Sequence, residues 1–529
     1  MLNLIHKFVL RSAAIHPGAP AVRYQNITLT YSELANEINQ WGQFLISVGL
    51  QRNDRIAIYL EKRIETVIAI FSSSLASTAF VPVNPLLKAD QVEYILNDCG
   101  ARLLVTSVSR WHSIKASLEH CPRLKMVILV DGDGETAERF AYRVVELNQI
   151  RLAQTWQKTC QQVECIESDM AAILYTSGST GKPKGVVLSH RNLIAGALAV
   201  SEYLENTSSD RILAVLPLSF DYGLNQVMTA MNVGATVVLA NYLVPNDICR
   251  LVEREKITGL AAVPPLWHQL VERRWSTNLS LRYITNSGGA VHRPLLDKLK
   301  VTFPSAKIFL MYGLTEAFRS TYLPPEQIDL RPDSIGKAIP GEEIFVVNSN
   351  GTLCVADEVG ELVHRGSLVS KGYWNAPEKT KERFRPLPFA VSEICTTELA
   401  VWSGDKVRKD AEGYLYFVGR DDEMIKVSGY RISPTEIEEI VCQIEGILEV
   451  AAFGVENKEL AQSVALALHC RKKSQDTIEK IRSECKLRLP NYMQPEIIEV
   501  FHEPLPRNGN GKIDRKKLQT DLNSISTST

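Results

Sequence analysis

The residues with the most evident chemistry lie at 174–190, LYTSGSTGKPKGVVLSH, where a hydrophobic run leads into glycines, hydroxyls and lysines. Glycine-rich backbone can wrap a polyphosphate, with hydroxyls and lysines completing its coordination. The P-loop pattern GxxxxGK[ST] fails twice, because Thr176 replaces its first glycine and Pro183 follows Lys182. The stretch therefore predicts a phosphate loop of another geometry, with a flexible surface turn as the alternative. The candidate residues are Thr176, Ser177, Gly178, Ser179, Thr180, Gly181 and Lys184.

Two polar clusters, ITNSGGA and LMYGLTEA, follow buried strands. Open α/β sheets bind ligands at the carboxyl ends of their strands, so we expect both clusters and the loop to form one crevice. Gly288 and Gly289 would let the backbone lie against a flat ring, unless they only form a tight turn. Tyr312 could stack on a base. Glu316 offers the oxygen ligand that Mg²⁺ prefers, although a carboxylate in a first helical turn is the alternative.

Two later segments carry further candidates. Asp405 and Arg420 flank a predicted hairpin and could reach a ribose, although a charged run is usually a solvated face. The glycine-rich segment PLPRNGNGKIDRKKL presents Lys512, which could equally belong to a frayed tail.

The elements that must position these residues alternate between strands and helices. Runs such as RIAIYL, RLLVT and KMVILV predict one parallel α/β sheet, and RILAVL, GLAAV and KIFLMYG predict a second. From about residue 342, alternating runs around Asn-Gly turns predict a smaller antiparallel β subdomain. The last hundred or so residues predict a separate small unit. The fold class is thus α/β: a large N-terminal domain of two α/β sheets plus a β subdomain, with a small mobile α+β C-terminal domain.

The chain of 529 residues exceeds what one core usually supports, so at least two domains are expected. We place the N-terminal domain at 1–419 and the C-terminal domain at 423–529, with a hinge near 420–422.

Composition narrows the class of protein. The net charge of −1 gives no basic surface for nucleic acid. The ten cysteines are scattered without a CxxC pair, as expected of free thiols in a reducing cytoplasm. No run approaches the roughly 18 apolar residues of a membrane span, and the N-terminus predicts an amphipathic helix. We expect a cytoplasmic protein with no integral membrane segment.

Taken in order, the motifs YTSGSTGKPKG, FDYG, YGLTE, GD, GRDDEMIKVSGYRISPTEIE and NGNGKIDR resemble those of the AMP-forming adenylate ligase superfamily. That superfamily includes acyl-CoA synthetases, amino-acid adenylation domains and luciferases. The resemblance covers nearly the whole chain. Two longer stretches are most similar to stand-alone prolyl-carrier-protein ligases and exosortase-associated acyl-CoA ligases. They are FVPVNPLLKADQVEYILNDCGARLLVTS and MYGLTEAFRSTYLPPEQIDLRPDSIGKAIP.

The resemblance implies that ATP and Mg²⁺ are used to form an acyl adenylate. The glycine-rich loop would clamp the β- and γ-phosphates, and Glu316 would hold the metal. Lys512 would bridge the substrate carboxylate and the phosphate, supplying charge where it develops. The adenosine site would comprise Gly288, Gly289, Ala290, Tyr312, Gly313 and Thr315 around the base, with Asp405 and Arg420 at the ribose.

The second half-reaction implies a rotation of the C-terminal domain about Asp422. That rotation would bring the segment KVSGYR, with Lys426 and Gly429, to the site as the arm that receives a phosphopantetheine thiol. Ser428 stands where many relatives have a basic residue, which puts in doubt how the phosphates of CoA would be held.

Asp221 occupies the position where amino-acid-activating members pair an aspartate with the substrate ammonium. A buried carboxylate lacking a cationic partner would be costly, so an amine-bearing substrate explains it. The alternative is that Asp221 only caps a helix that begins at Tyr222. Asp221, Tyr222, Asn225, Trp267 and Gly288 predict a short pocket for a small amino acid, with L-proline the first candidate and a separate carrier protein the acceptor.

Other functions stay open. An acyl-CoA ligase acting on a carboxylic or fatty acid is the main alternative. A nucleotide-binding regulator without catalysis and a luciferase-type oxygenase are further possibilities.

Overall fold

The structure is a computed structural model. It describes residues 3–526 apart from 132–139, 153–164, 177–181, 290, 292, 390–397, 421–424, 433, 458–460, 471–474 and 507–512. The helices in chain order are α1 (His6–Ile15), α2 (Tyr31–Ser47), α3 (Ile64–Leu75), α4 (Ala89–Cys99), α5 (Val108–Leu118), α6 (Leu147–Leu152), α7 (His190–Tyr203), α8 (Asp221–Val233), α9 (Pro245–Arg254), α10 (Pro264–Val271), α11 (Arg293–Thr302), α12 (Pro377–Arg383), α13 (Pro434–Val441), α14 (Gln475–Arg488) and α15 (Arg515–Ser526).

The strands are β1 (Pro20–Tyr24), β2 (Ile27–Thr30), β3 (Arg55–Tyr59), β4 (Ala79–Pro82), β5 (Leu103–Thr106), β6 (Met126–Leu129), β7 (Arg143–Glu146), β8 (Met170–Thr176), β9 (Lys184–Ser189), β10 (Arg211–Ala214), β11 (Thr236–Leu239), β12 (Gly259–Ala262), β13 (Tyr283–Asn286), β14 (Lys307–Tyr312), β15 (Thr321–Leu323), β16 (Ser334–Ala338), β17 (Glu342–Val347), β18 (Val359–Gly366), β19 (Phe384–Pro386), β20 (Leu399–Lys409), β21 (Leu415–Arg420), β22 (Ile425–Val427), β23 (Tyr430–Ile432), β24 (Ile447–Asn457), β25 (Ala461–Cys470) and β26 (Ile497–Phe501).

The first sheet has the order β7-β6-β5-β3-β4-β8-β9 and is parallel except for the β8–β9 pair. Alternate residues of β3 enter different cores, since Ile56 and Ile58 face one and Ala57 and Tyr59 the other. A strand covered on both faces needs an almost continuous apolar run, which is why the sequence of β3 predicted a strand. The β8–β9 hairpin closes on Thr176 and Lys184 and therefore holds the ends of the glycine-rich loop.

The second sheet runs β17-β18-β20-β21-β16-β15-β14-β13-β12-β10-β11-β1-β2, with β19 beside β20. Its strands from β14 to β1 are parallel, and those from β15 to β17 are antiparallel. The predicted β subdomain is thus antiparallel as expected, but it continues the second sheet through β15 and β16. The prediction of two α/β sheets with a β extension is confirmed.

The third sheet has the order β23-β22-β25-β24, with β26 parallel to β25, and α13, α14 and α15 pack on it. This is the predicted small α+β unit. No helix among the described residues is long and apolar enough to cross a bilayer. The cysteines within the described ranges are free.

Candidate active site

The carboxyl ends of the central strands meet the β8–β9 hairpin at a buried group of three side chains. Glu316 lies in a 3₁₀ turn, Thr315–Ala317, directly after β14. The Tyr373 hydroxyl donates to Glu316 Oε1 at 2.7 Å, and Lys184 Nζ lies 3.4 Å from the same oxygen. Lys184 Nζ also donates to the Tyr373 hydroxyl at 2.8 Å. These residues form a closed Lys–Tyr–Glu triad.

Electrostatics keep the triad charged. Burial favours the neutral acid, but the Lys184 ammonium and the Tyr373 hydrogen bond outweigh it and hold the pKa of Glu316 below its usual value. Burial lowers the pKa of Lys184 even though Glu316 opposes that shift. An ionised Glu316 at neutral pH follows.

A cavity of about 170 Å³ adjoins the triad, and Thr176, Asp405 and Gly429 also line it. Thr176 Oγ1 is buried and has no hydrogen-bond partner among the described residues. A carboxylate and a free hydroxyl are the oxygen ligands that suit Mg²⁺, which commonly takes one or two carboxylates together with substrate phosphates. The residues fit that ion. The described residues contain no cluster of three or more acidic, His or Cys ligands that would bind a metal without the nucleotide.

A second cavity of about 180 Å³ continues from the first. Gly288, Gly289, Tyr312, Gly313 and Thr315 all line it, together with Asp405 and Lys426. The Tyr312 hydroxyl donates to Asp405 Oδ2 at 2.5 Å, and Asp405 lies opposite Arg420 in the β20–β21 register. The structure thus brings the ring and ribose candidates together.

The turn between β22 and β23 lies against this cavity. Gly429 has φ +84°, and its Cα lies 4.0 Å from where a Cβ on Gly288 would be. A Cβ on Gly429 would approach Val263 Cγ1 to 2.8 Å, so a side chain at this position would collide with the N-terminal domain. Farther along the same segment, Gln91 Nε2 donates to Glu436 Oε1 at 2.9 Å. The C-terminal domain is therefore docked with the KVSGYR segment at the site.

A third cavity of about 650 Å³ opens beside this turn, and we name it the acceptor channel. It shares Asn84, Phe220, Gly429 and Tyr430 with the triad cavity. Its outer walls include Lys62 and Leu243. The third cavity therefore adjoins the triad cavity at this turn.

Asp221 is the first residue of α8, and its side chain lines the second cavity. Its Oδ1 accepts from the Tyr222 N–H at 2.8 Å, so the carboxylate contacts the helix start and also faces the cavity. Burial raises its pKa, and the charge of Arg319 opposes that rise. The expectation of a pocket without a cation is wrong, because Arg319 lines the same cavity.

The other predicted pocket residues lie behind Asp221. Tyr222 and Trp267 are fully buried, and Asn225 is nearly so. The Tyr222 hydroxyl bonds the Thr285 hydroxyl at 2.6 Å, and Trp267 packs edge-on against Phe303. None of these three residues is among those that line the three described cavities, whereas Asp221 and Gly288 are.

Several predicted residues lie outside the described part of the chain: Ser177, Gly178, Ser179, Thr180, Gly181, Ala290, Asp422 and Lys512. Their roles stay predictions.

Sequence reasoning missed Tyr373 and Arg319. Tyr373 stands in SKGYWN, about sixty residues after Glu316, so only the fold brings them together. Arg319 stands in EAFRSTYL, three residues after Glu316, and this closeness to a predicted site residue is the signal that could have found it.

Comparisons with known proteins agree with this geometry. Residues 9–374 match the family described as AMP-binding enzyme, and residues 436–512 match the AMP-binding enzyme C-terminal domain. The chain is 32% identical over 511 residues to tyrocidine synthase 3 of Brevibacillus parabrevis, covering 95% of this chain and 7% of that protein. It is 28% identical over 532 residues to bacitracin synthase 3 of Bacillus licheniformis, covering 99% of this chain and 8% of that protein. The chain thus spans less than a tenth of these relatives.

Solved structures show the same architecture at full length. An o-succinylbenzoate CoA synthetase from Bacillus subtilis is 26% identical with a TM-score of 0.83, covering 97% of this chain and 98% of that one. An anthranilate CoA ligase in complex with anthranoyl-AMP is 25% identical with a TM-score of 0.71, covering 100% of this chain and 99% of that one. The predicted superfamily is confirmed: the protein belongs to the AMP-binding enzymes, the adenylate-forming ligases.

Proposed function

We propose that this protein activates a small amino acid with ATP, releasing pyrophosphate, and transfers the aminoacyl group to a phosphopantetheine thiol on a separate carrier protein. Asp221 carries the proposal, because a buried carboxylate in the cavity that the nucleotide-ring candidates also line can bind a substrate ammonium. L-proline, suggested by the sequence resemblance, is the first acid to test.

In the first half-reaction, adenine lies between Tyr312 and the strip Gly288–Gly289, and Asp405 accepts from the ribose hydroxyls. Glu316 and Thr176 would hold Mg²⁺, which would neutralise phosphate charge when bound. The chain's own part is alignment, since the carboxylate and the α-phosphate repel each other until positive charge is positioned between them. Lys512 supplies that charge.

In the second half-reaction, the thiol reaches the acyl adenylate through the acceptor channel and attacks the acyl carbon, releasing AMP. The docked Gly429 turn supports this step, because it forms a wall shared by the channel and the nucleotide cavities. Replacement of Gly429 by alanine should block thioester formation, through its contact with Val263, and spare ATP–pyrophosphate exchange. Gly446→Ala is the matched control, since Gly446 also has positive φ but no atom within 4 Å of an added Cβ.

The deciding experiment is ATP–pyrophosphate exchange over amino acids and fatty acids, repeated with Asp221→Asn and with the exposed control Asp297→Asn. Exchange with an amino acid that only Asp221→Asn weakens supports the proposal. Exchange with fatty acids but with no amino acid would contradict the proposal that the protein activates an amino acid.

The second candidate is an acyl-CoA ligase, favoured by the two CoA-ligase structures. Comparing the rate of thioester formation with free CoA and with a pantetheinylated carrier protein distinguishes the two acceptors. A preference for free CoA would favour this second candidate.

A further inference from the structure

Arg319 is a buried cation in the second cavity that the proposed mechanism does not use. It follows the 3₁₀ turn that carries Glu316 and is only 2% exposed. Its guanidinium lies 4.6 Å from the centre of the Tyr222 ring. Its Nε and Nη2 are buried and have no hydrogen-bond partner among the described residues. A buried guanidinium with free donors needs an acceptor.

Asp221 does not supply that acceptor. Both side chains line the same cavity, yet within the described ranges neither makes an ion pair at 4.0 Å or less. Two residues of opposite charge therefore line one cavity without pairing with each other. A ligand with its own pair of charges can fill the space between them, with its cation towards Asp221 and its anion towards Arg319.

Hydrogen bonds tie the backbone next to Arg319 to two neighbouring strands. The hydroxyl of the next residue, Ser320, lies 2.9 Å from His364 Nδ1, and His364 Nε2 lies 2.7 Å from Glu342 Oε2. His364 and Ser320 are fully buried. This network ties the backbone next to Arg319 to β17 and β18, and the guanidinium stacks on the Tyr222 ring, so less ordering is needed when a ligand binds.

From these two unpaired charges we infer that the substrate is an amino acid with an acidic side chain. Its ammonium binds Asp221, and its side-chain carboxylate binds Arg319. The inference rests on the proposed function and, within it, replaces L-proline as the expected acid. The reacting carboxylate then points towards the Lys–Tyr–Glu triad. Proline would leave Arg319 without an acceptor, and a fatty acid would leave both charges unmatched. A planar guanidinium suits a carboxylate better than any neutral acceptor.

The test compares amino acids of matched shape in ATP–pyrophosphate exchange with the full chain: L-aspartate, L-asparagine and L-leucine, together with L-glutamate and L-proline. A site built to bind a polar group rejects an isostere without it by large factors. We expect kcat/KM for the better acidic substrate to exceed that for leucine and proline by at least about 100-fold. Higher activity with leucine or proline would overturn the inference and leave the amino-acid function standing.

A variant pair shows whether Arg319 causes the selectivity. Arg319→Met should reduce the ratio of kcat/KM for the acidic substrate to kcat/KM for leucine by roughly 100-fold. Arg385→Met is the control, since Arg385 also stacks on an aromatic ring, Trp402, at 4.0 Å but is exposed on β19. An unchanged ratio in folded Arg319→Met contradicts the inference.

The wild-type panel decides the question alone if Arg319→Met does not fold. Exchange with succinate but no amino acid would overturn the proposed function, because Asp221 would then not bind an ammonium. Exchange with no acid at all would overturn both.

Discussion

The two ends of the site hold the same kinds of charge in different arrangements. In the Lys–Tyr–Glu triad, Lys184 and Glu316 lie 3.4 Å apart and share the Tyr373 hydroxyl. At the other end, Asp221 and Arg319 face one cavity without an ion pair, and Arg319 keeps buried free donors among the described residues. The charges of the paired end neutralise each other in the absence of a ligand. The charges of the unpaired end do not, which is why we propose that this end selects the acid.

The largest effect should come from breaking the paired end. Glu316→Gln removes the carboxylate proposed for Mg²⁺ and leaves Lys184 without its anion. We expect the rate of ATP–pyrophosphate exchange to fall about 100- to 1,000-fold, as when a preorganised electrostatic group is lost. Glu343→Gln, at an exposed position of β17, is the control and should retain activity. A Glu316→Gln rate within a few-fold of wild type would contradict this role.

The unpaired end should respond to pH where the paired end does not. Asp221 must be ionised to bind an ammonium, and burial raises its pKa. KM for the amino acid should therefore fall as pH rises through that raised pKa. In Asp221→Asn this dependence should vanish and KM should rise by roughly 100-fold, as when one partner of a buried charge pair is removed. Glu316, whose pKa is held below its usual value, should stay ionised throughout. A persisting pH dependence in Asp221→Asn would assign it to another group.

A smaller effect should follow from loosening the triad without removing a charge. Tyr373→Phe deletes the hydroxyl that contacts Lys184 and Glu316. Loss of a hydrogen bond to a charged group costs about 1.5–3 kcal/mol, so we expect exchange to slow by about 10- to 150-fold. Tyr416→Phe in β21 is the matched control, because the Tyr416 hydroxyl also donates to a carboxylate, Asp410 Oδ2, at 3.1 Å. An unaffected rate in Tyr373→Phe would show that the triad is held by Lys184 and Glu316 alone.

The smallest effect concerns stability without ligand, and its sign should differ between the two ends. When the pKa of a carboxyl is higher in the folded than in the unfolded protein, the free energy of unfolding falls as pH rises between the two pKa values. Ionised Asp221 therefore lowers the free energy of unfolding at pH 7, and Asp221→Asn should raise it by up to about 1 kcal/mol. Lys184→Met should lower it by about 1–3 kcal/mol, because Glu316 is left buried without its cation. Denaturant unfolding at pH 7 measures both, and equal signs would contradict the contrast.

Much of the fold was readable because its signals are local. The runs of β3, β5 and β6 are apolar on both faces, as buried parallel strands require, and they were predicted within one or two residues. The continuity of the second sheet with the β subdomain was not predicted, because it depends on β16 pairing with β21, about eighty residues later.

The sequence by itself determined the family, and it predicted the glycine-rich loop, Glu316 and Asp221 as site residues, since each lies in a short motif of distinctive residue types and spacing. Only the tertiary structure decided that Tyr373 joins Lys184 to Glu316, that Gly429 packs on Val263, and that Asp221 shares its cavity with Arg319. The physical reason is that charge pairing depends on distance through space. A buried carboxylate has one meaning alone and another beside a guanidinium, and the order of residues along the chain does not give that separation.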